Sequence, residues 1–224
     1  MKITLVESQK NNPRRFNIYL DGQFAFGADE DTIVDFRLVA GKEISKEILD
    51  KLLKEVEVGK LMERMYGLFN VRLRSEREVR NYLKQLSFKR KLKEREEISE
   101  IVVENLIEKL KRKGLINDAE FALKWTESRR RSKRKGINVI KQELFQKGIS
   151  RDIVRDIINN QVTESEEKLA EEALEKRIKR LEVLNSVEFK KKATEFLIRR
   201  GFEFSLVKDV VENYMKKRYN SGRW

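Results

Sequence analysis

The sequence predicts a mostly α-helical protein: three tandem three-helix repeats forming an elongated curved array, preceded by a small antiparallel β module. Three observations predict this class. First, setting Leu144 to Ile158 against Leu197 to Val211 without a gap matches Leu144 with Leu197, Gly148 with Gly201, Val154 with Val207 and Asp156 with Asp209. In the same frame Phe145, Ile149, Ile153, Ile157 and Ile158 all stand opposite apolar residues. A period near 53 residues that carries helix-turn-helix content marks a helical repeat array. Second, Ser75 with Glu78, Asn117 with Glu120 and Thr163 with Glu166 each place a polar cap three residues before an acid, the signature of a capping box. Third, residues 2–28 alternate in a strand-like way around Asp21-Gly22, where both positions tolerate the positive φ of a tight hairpin turn.

Taken in order, Ile3, Leu5 and Val6 make one strand run, Phe16, Ile18 and Leu20 a second, and Phe24 and Phe26 begin a third. Asp29-Glu30-Asp31 leads into Thr32 to Phe36, a short helix or turn with acids at its favourable end. The acids do not make a calcium loop, which needs an Asp or Asn at position 33 and a glycine at 34, where Ile33 and Val34 stand. From Ser45 the spacing of Ile48, Leu49, Leu52, Leu53 and Val56 is helical, as is that of Leu61, Met65, Leu68 and Phe69, with Gly59 expected to separate the two.

A first repeat follows, with Val79, Tyr82, Leu83 and Leu86 on one stripe and Val102, Val103, Leu106 and Ile107 on the next. Ser87 stands where the other repeats have glycine, and the charged insertion Lys89 to Glu97 lengthens the connection. The second repeat is the clearest. Asn117 caps a helix over about 118–131, Gly136 precedes a helix carrying Ile137, Ile140 and Leu144, and Ser150 caps a third with Ile153, Val154, Ile157 and Ile158. The third repeat presents Leu169, Ala173, Ile178 and Leu181, then Phe189, Ala193, Phe196 and Leu197, then Leu206, Val210, Val211 and Tyr214. A basic tail from Lys216 is expected to fray. The predicted division is a β-rich module over 1–44, a linker helix over 45–58, repeats over 59–113, 114–162 and 163–219, and a tail over 220–224.

The chain of 224 residues has no histidine and no cysteine. That removes the commonest general base, thiolate metal sites, disulfides and every triad that uses histidine. Neither Gly41-Lys42 nor Gly59-Lys60 has the glycine spacing of a phosphate-binding loop. Carboxylate and lysine triplets such as Glu166-Glu167-Lys168 lie on helical faces, where solvated charge pairs explain them. A binding protein without cofactor or metal is expected. The start lacks the apolar core of a signal peptide and no apolar run approaches membrane-spanning length, so a cytoplasmic location and no membrane partner are expected.

The net charge of +13 is uneven: residues 1–58 carry about −2 and the remainder about +15. Arg129, Arg130, Arg131, Lys133, Arg134 and Lys135 place six cations within seven residues, more than a helix C-terminus requires. With Lys190, Lys191, Lys192, Arg199 and Arg200 they form the predicted site for phosphates or an acidic protein surface. Phe121, Trp125, Phe189 and Phe196 lie on apolar stripes and are expected in cores, not as base-stacking platforms.

The order Arg74-Ser75-Glu76-Arg77-Glu78, Tyr82-Leu83, Gly114-Leu115-Ile116-Asn117-Asp118, Phe121-Ala122, Glu143-Leu144 and Lys147-Gly148-Ile149 resembles the bacterial regulatory RecX family. Asn17 to Gly22, Asp29 to Thr32 and Gly41-Lys42-Glu43 resemble the N-terminal module of its longer members. Asn117 departs from the aspartate common after the family's Gly-Leu-Ile element, yet asparagine caps a helix equally well. The resemblance implies a monomeric regulator, not an enzyme. It would bind the RecA filament on single-stranded DNA and restrain it, with DNA as a secondary contact, and so act on recombination, DNA repair and the SOS response. The alternative from charge alone is a sequence-independent DNA- or RNA-binding repeat protein with no recombinase partner.

Overall fold

The computed structural model of the protein describes residues 1–10, 12–161, 165–181 and 183–220. It is mostly helical, with one three-stranded antiparallel sheet at the N-terminus, as the sequence predicts. The chain forms two compact units, Met1–Ile116 and Asn117–Trp224.

In the first unit β1 (Ile3–Gln9), β2 (Asn12–Leu20) and β3 (Gln23–Asp29) pair in sequence order. Asp21 and Gly22 both adopt positive φ, 48° and 85°, as the hairpin requires. Register shifts interrupt the alternation: Ile18 faces Phe26, but Tyr19 faces Phe24. Phe26 is therefore buried while Phe24 is exposed on the far face, its ring edge-on to Tyr19 at 5.9 Å. A second shift between Ile3 and Leu5 buries Ile3 and exposes Leu5 in the same way. The buried face packs Ile3, Ile18, Phe26 and Ala28 against Leu38, Ile44, Leu52 and Val56.

Asp29 caps α1 (Glu30–Asp35), its Oδ1 accepting the Thr32 N–H at 2.9 Å and the Thr32 hydroxyl at 2.5 Å. The expected break at Gly59 does not occur. One helix, α2 (Lys46–Phe69), runs straight through it. The glycine answers a packing constraint: a Cβ there would stand 2.5 Å from Asp29 Oδ2, the carboxylate that caps α1. The second half of α2, through Val58, Leu61, Met62 and Met65, shares a core with α3 (Glu76–Lys91) and α4 (Glu100–Arg112). Ser75 caps α3, its Oγ accepting the Glu78 N–H at 3.3 Å. At the joint without glycine, Ser87 Oγ accepts the Ile98 N–H at 3.0 Å and so ties down the charged insertion.

The second unit holds α5 (Asp118–Lys133), α6 (Ile137–Gln146) and α7 (Arg151–Asp156), which passes into a π-helical turn over Ile157–Gln161. It continues with α8 (Glu166–Leu181), α9 (Ser186–Arg200) and α10 (Phe204–Asn220). The expected caps Asn117 and Ser150 both accept the N–H three residues on. Thr163 lies outside the described residues. Glu166 spends its carboxylate elsewhere, on Arg130 and on the Ile137 N–H. The helix α10 extends to Asn220, so Lys216, Lys217 and Arg218 are helical rather than frayed, because Tyr214 and Met215 pack on the core and Arg218 lies 5.6 Å over the Phe189 ring.

The aligned repeats agree in burial at most positions, Gly148 with Gly201 and Ile158 with Val211 being the exceptions. Leu144 and Leu197, Ile149 and Phe202, Val154 and Val207, and Ile157 and Val210 are all buried, whereas Phe145 and Ile198 are both exposed, at 43% and 39%. Gly148 and Gly201 take the left-handed φ of a helix C-cap, 83° and 93°. Gly136 plays another part: a Cβ there would lie 2.5 Å from the Gly201 backbone. Gly136→Ala should cost at least about 2 kcal/mol of unfolding free energy in urea. Gly67→Ala, in an open position on α2 with nothing within 4 Å of the added methyl, should instead stabilise by about 0.5–1 kcal/mol. Equal midpoints for the two variants would contradict this account.

Candidate partner-binding surface

The basic run at the end of α5 is where the sequence concentrates charge. Arg134 closes that helix in the left-handed conformation, φ 48°, and its N–H and that of Lys135 return to the carbonyls of Arg130 and Arg129. The reversal sends successive cations in different directions, and most of them meet carboxylates.

Arg130 turns inward. It is 5% exposed and pairs with Glu166 at the start of α8, which also accepts the Ile137 N–H at 3.2 Å. Arg134 reaches Glu172 on α8 at 3.1 Å. Two backbone bonds and one from a side chain complete this clasp between the second and third repeats: Gly136 N–H to Arg200 O at 2.9 Å, Asn138 N–H to Gly201 O at 3.1 Å, and the Arg200 guanidinium to the Lys133 carbonyl. Arg129 and Lys135 converge on Glu143 of α6, Arg129 at 2.8 Å. Burial raises the Glu143 carboxyl, but hydrogen bonds from Lys135, Trp125 and Arg129 outweigh it and hold the group below its ordinary value. Trp125 donates to Glu143 at 2.8 Å, stacks on Phe121 at 5.7 Å and lies under Arg129 at 4.1 Å and Lys147 at 5.0 Å. It is part of the packing, as its stripe position predicts.

Arg131 and Lys133 remain. Both are exposed, and neither has a carboxylate within ion-pair distance among the described residues. In the third repeat, Lys190 pairs with Glu212 at 3.1 Å and Arg199 with Glu195 at 3.7 Å, while Lys191 and Lys192 are exposed without such a partner among the described residues. Arg200 is half-buried with its guanidinium 4.9 Å over the Phe196 ring, and Arg177 covers the same ring at 5.6 Å. Nothing in the sequence singles out Arg177, which sits in the charged run Lys176 to Arg180 on a helical face like many others. Among the described residues no group of acids is arranged to hold a metal, and no helix is long and apolar enough to cross a membrane.

Comparison with known proteins supplies the context for this surface. Residues 1–45 match the regulatory protein RecX N-terminal domain, 117–157 the second RecX three-helix domain and 164–211 the third. A regulatory protein RecX of Bacillus subtilis (strain 168) is 31% identical over 94% of this chain and 76% of its own length. The chain belongs to the RecX family. The RecX of Listeria welshimeri is 28% identical over 93% of this chain and 74% of its own. A crystal structure of regulatory protein RecX superposes with a TM-score of 0.77 at 26% identity, covering 94% of this chain and 98% of that one. The RecX structure from Lactobacillus salivarius shares the fold, with a TM-score of 0.58 at 22% identity over 70% of this chain and 95% of that one. The clasp thus joins the second and third three-helix domains of a RecX protein.

Arg130→Ala should cost about 3 kcal/mol, since it leaves the Glu166 carboxylate without its buried partner. A loss below 1 kcal/mol in urea titration would remove the clasp from the stability of the fold. The lowered Glu143 group makes a pH prediction of definite sign. Its contribution is present above the ordinary carboxyl value of 4.5 and is lost as pH falls through the lower folded value. Glu143→Gln should therefore be less stable than the parent at pH 7, and the gap should close below pH 4.5.

Proposed function

We propose that this chain regulates RecA recombinase by binding the RecA filament on DNA and inhibiting it, and thereby acts on recombination, DNA repair and the SOS response in the cytoplasm. Membership of the regulatory RecX family over almost the whole chain carries the reading. The chemistry of the sequence supports a binding role over a catalytic one, since the chain has neither histidine nor cysteine. A net charge of +13 suits an acidic partner. Within the second unit, Arg131, Lys133, Lys191 and Lys192 are the predicted cations left available to such a partner, because Arg129, Arg130, Arg134 and Lys135 are committed to carboxylates of the fold.

The same free cations would serve a nucleic-acid-binding repeat protein with no recombinase partner, and one experiment separates the two. Suppression of RecA ATP hydrolysis is measured as the protein is titrated against a fixed amount of single-stranded DNA. Inhibition well below the amount that coats the DNA is expected. Inhibition that begins only at coating stoichiometry would assign the effect to competition for DNA. Arg131→Glu combined with Lys133→Glu should weaken binding to a preformed filament by about tenfold at moderate salt without lowering the melting temperature, because like-charge contact opposes docking. Unchanged filament affinity would remove this end of α5 from the interface.

A further inference from the structure

We propose that Arg177 and Arg200, which share the Phe196 ring where the third repeat meets the second, form a binding site for a phosphodiester of single-stranded nucleic acid. The proposal rests on the reading of the chain as a protein that works on DNA-borne filaments, and it names a contact within that reading.

The observation is an exception to a pattern. Four cations of the α5 end are answered by carboxylates: Arg130 by Glu166, Arg134 by Glu172, and Arg129 and Lys135 by Glu143. Arg177 and Arg200 have none among the described residues, yet both lie on one face-rich aromatic support, the Phe196 ring, at 5.6 and 4.9 Å. Cation–π contact holds a guanidinium in place without neutralising it. One N–H of Arg200 is anchored on the Lys133 carbonyl, the residue before Arg134, so the fold fixes its position from both repeats. The half-buried guanidinium of Arg200 has its affinity for a proton lowered, first by loss of water and then by the charges of Arg134 and Arg177. Arg200 thus feels the positive charge of both Arg177 and Arg134, and Arg134 is already engaged by Glu172. An anion bound by Arg177 and Arg200 would relieve that repulsion.

The geometry selects the kind of anion. A carboxylate has two coplanar oxygens and is satisfied by the fork of one guanidinium. Two guanidinium groups on one ring offer more donors than one carboxylate can use, and suit an anion whose charged oxygens point in different directions, as those of a tetrahedral phosphodiester do. Phe196 itself is covered by the two cations and is no platform for a base, so recognition is of the backbone and independent of sequence.

The test uses the full chain and a fluorescein-labelled single-stranded oligothymidylate, with affinity read by anisotropy over a range of salt. Arg177→Gln, which removes no ion pair among the described residues, should weaken binding by about three- to tenfold at low salt and reduce the slope of log affinity against log salt by roughly 0.7, the increment of one single-strand phosphate. Lys124→Gln, a cation with its own partner Glu127 at 3.6 Å, carries the same change of net charge and should alter neither quantity. Arg200→Gln should behave as Arg177→Gln does, provided that its melting temperature stays near that of the parent. Equal affinity and slope for Arg177→Gln and Lys124→Gln would overturn the proposal. So would a loss of binding to DNA-free RecA with oligothymidylate affinity retained, which would assign the site to carboxylates of a protein. Neither result touches the regulatory reading, which fails only if the parent chain leaves RecA ATP hydrolysis unaffected.

Discussion

A buried arginine fixes how one repeat meets the next. Arg130 cannot sit in an apolar joint without a compensating anion, and Glu166, which supplies one, lies on the first turn of the following repeat. Because Glu166 also accepts the Ile137 N–H, one carboxylate ties three segments together: the end of α5, the start of α6 and the start of α8. Such a pair adds little over a hydrophobic contact of equal size, but it penalises every wrong register. Backbone bonds between Gly136 and Arg200 and between Asn138 and Gly201 then lock the register it selects. Both glycines are required by that closeness, since a methyl on either would meet the other strand of the clasp at 2.5 Å.

This arrangement changes what a positive run in a sequence means. Six cations in seven residues look like a nucleic-acid patch, yet four of them are answered by acids on later helices, at positions 143, 166 and 172. Local charge density measures demand for anions, and the fold supplies most of that demand itself. What remains for a partner is set by which cations the fold leaves unanswered, a matter of three-dimensional pairing.

The same reasoning separates what could be read from the sequence from what could not. Caps, stripes and the repeat were legible because they depend on neighbours three, four or 53 positions away in a fixed pattern, and Asn117, Ser150, Leu144 and Leu197 occupy the expected places. The strand alternation was legible except where bulges shift it at Leu5 and Phe24, since an extra residue leaves no mark of its own on a hydrophobic pattern. Gly59 read as a helix break because its true reason, the approach of Asp29, involves a residue 30 positions earlier. Arg177 was invisible for the same cause: its significance comes from Phe196 and Arg200, on the next helix.

The uninterrupted course of α2 has a further consequence. Its first half supplies Leu52 and Val56 to the core beneath the sheet, and its second half supplies Leu61 and Met65 to the core of the first repeat. The helix spans roughly 36 Å at 1.5 Å per residue and belongs to both. The β module is therefore not a detachable ornament. A gene rearrangement that cut near residue 45 would leave an oily flank in water, at about 1.5–3 kcal/mol for each large side chain stranded there, so inheritance must carry sheet and rod together.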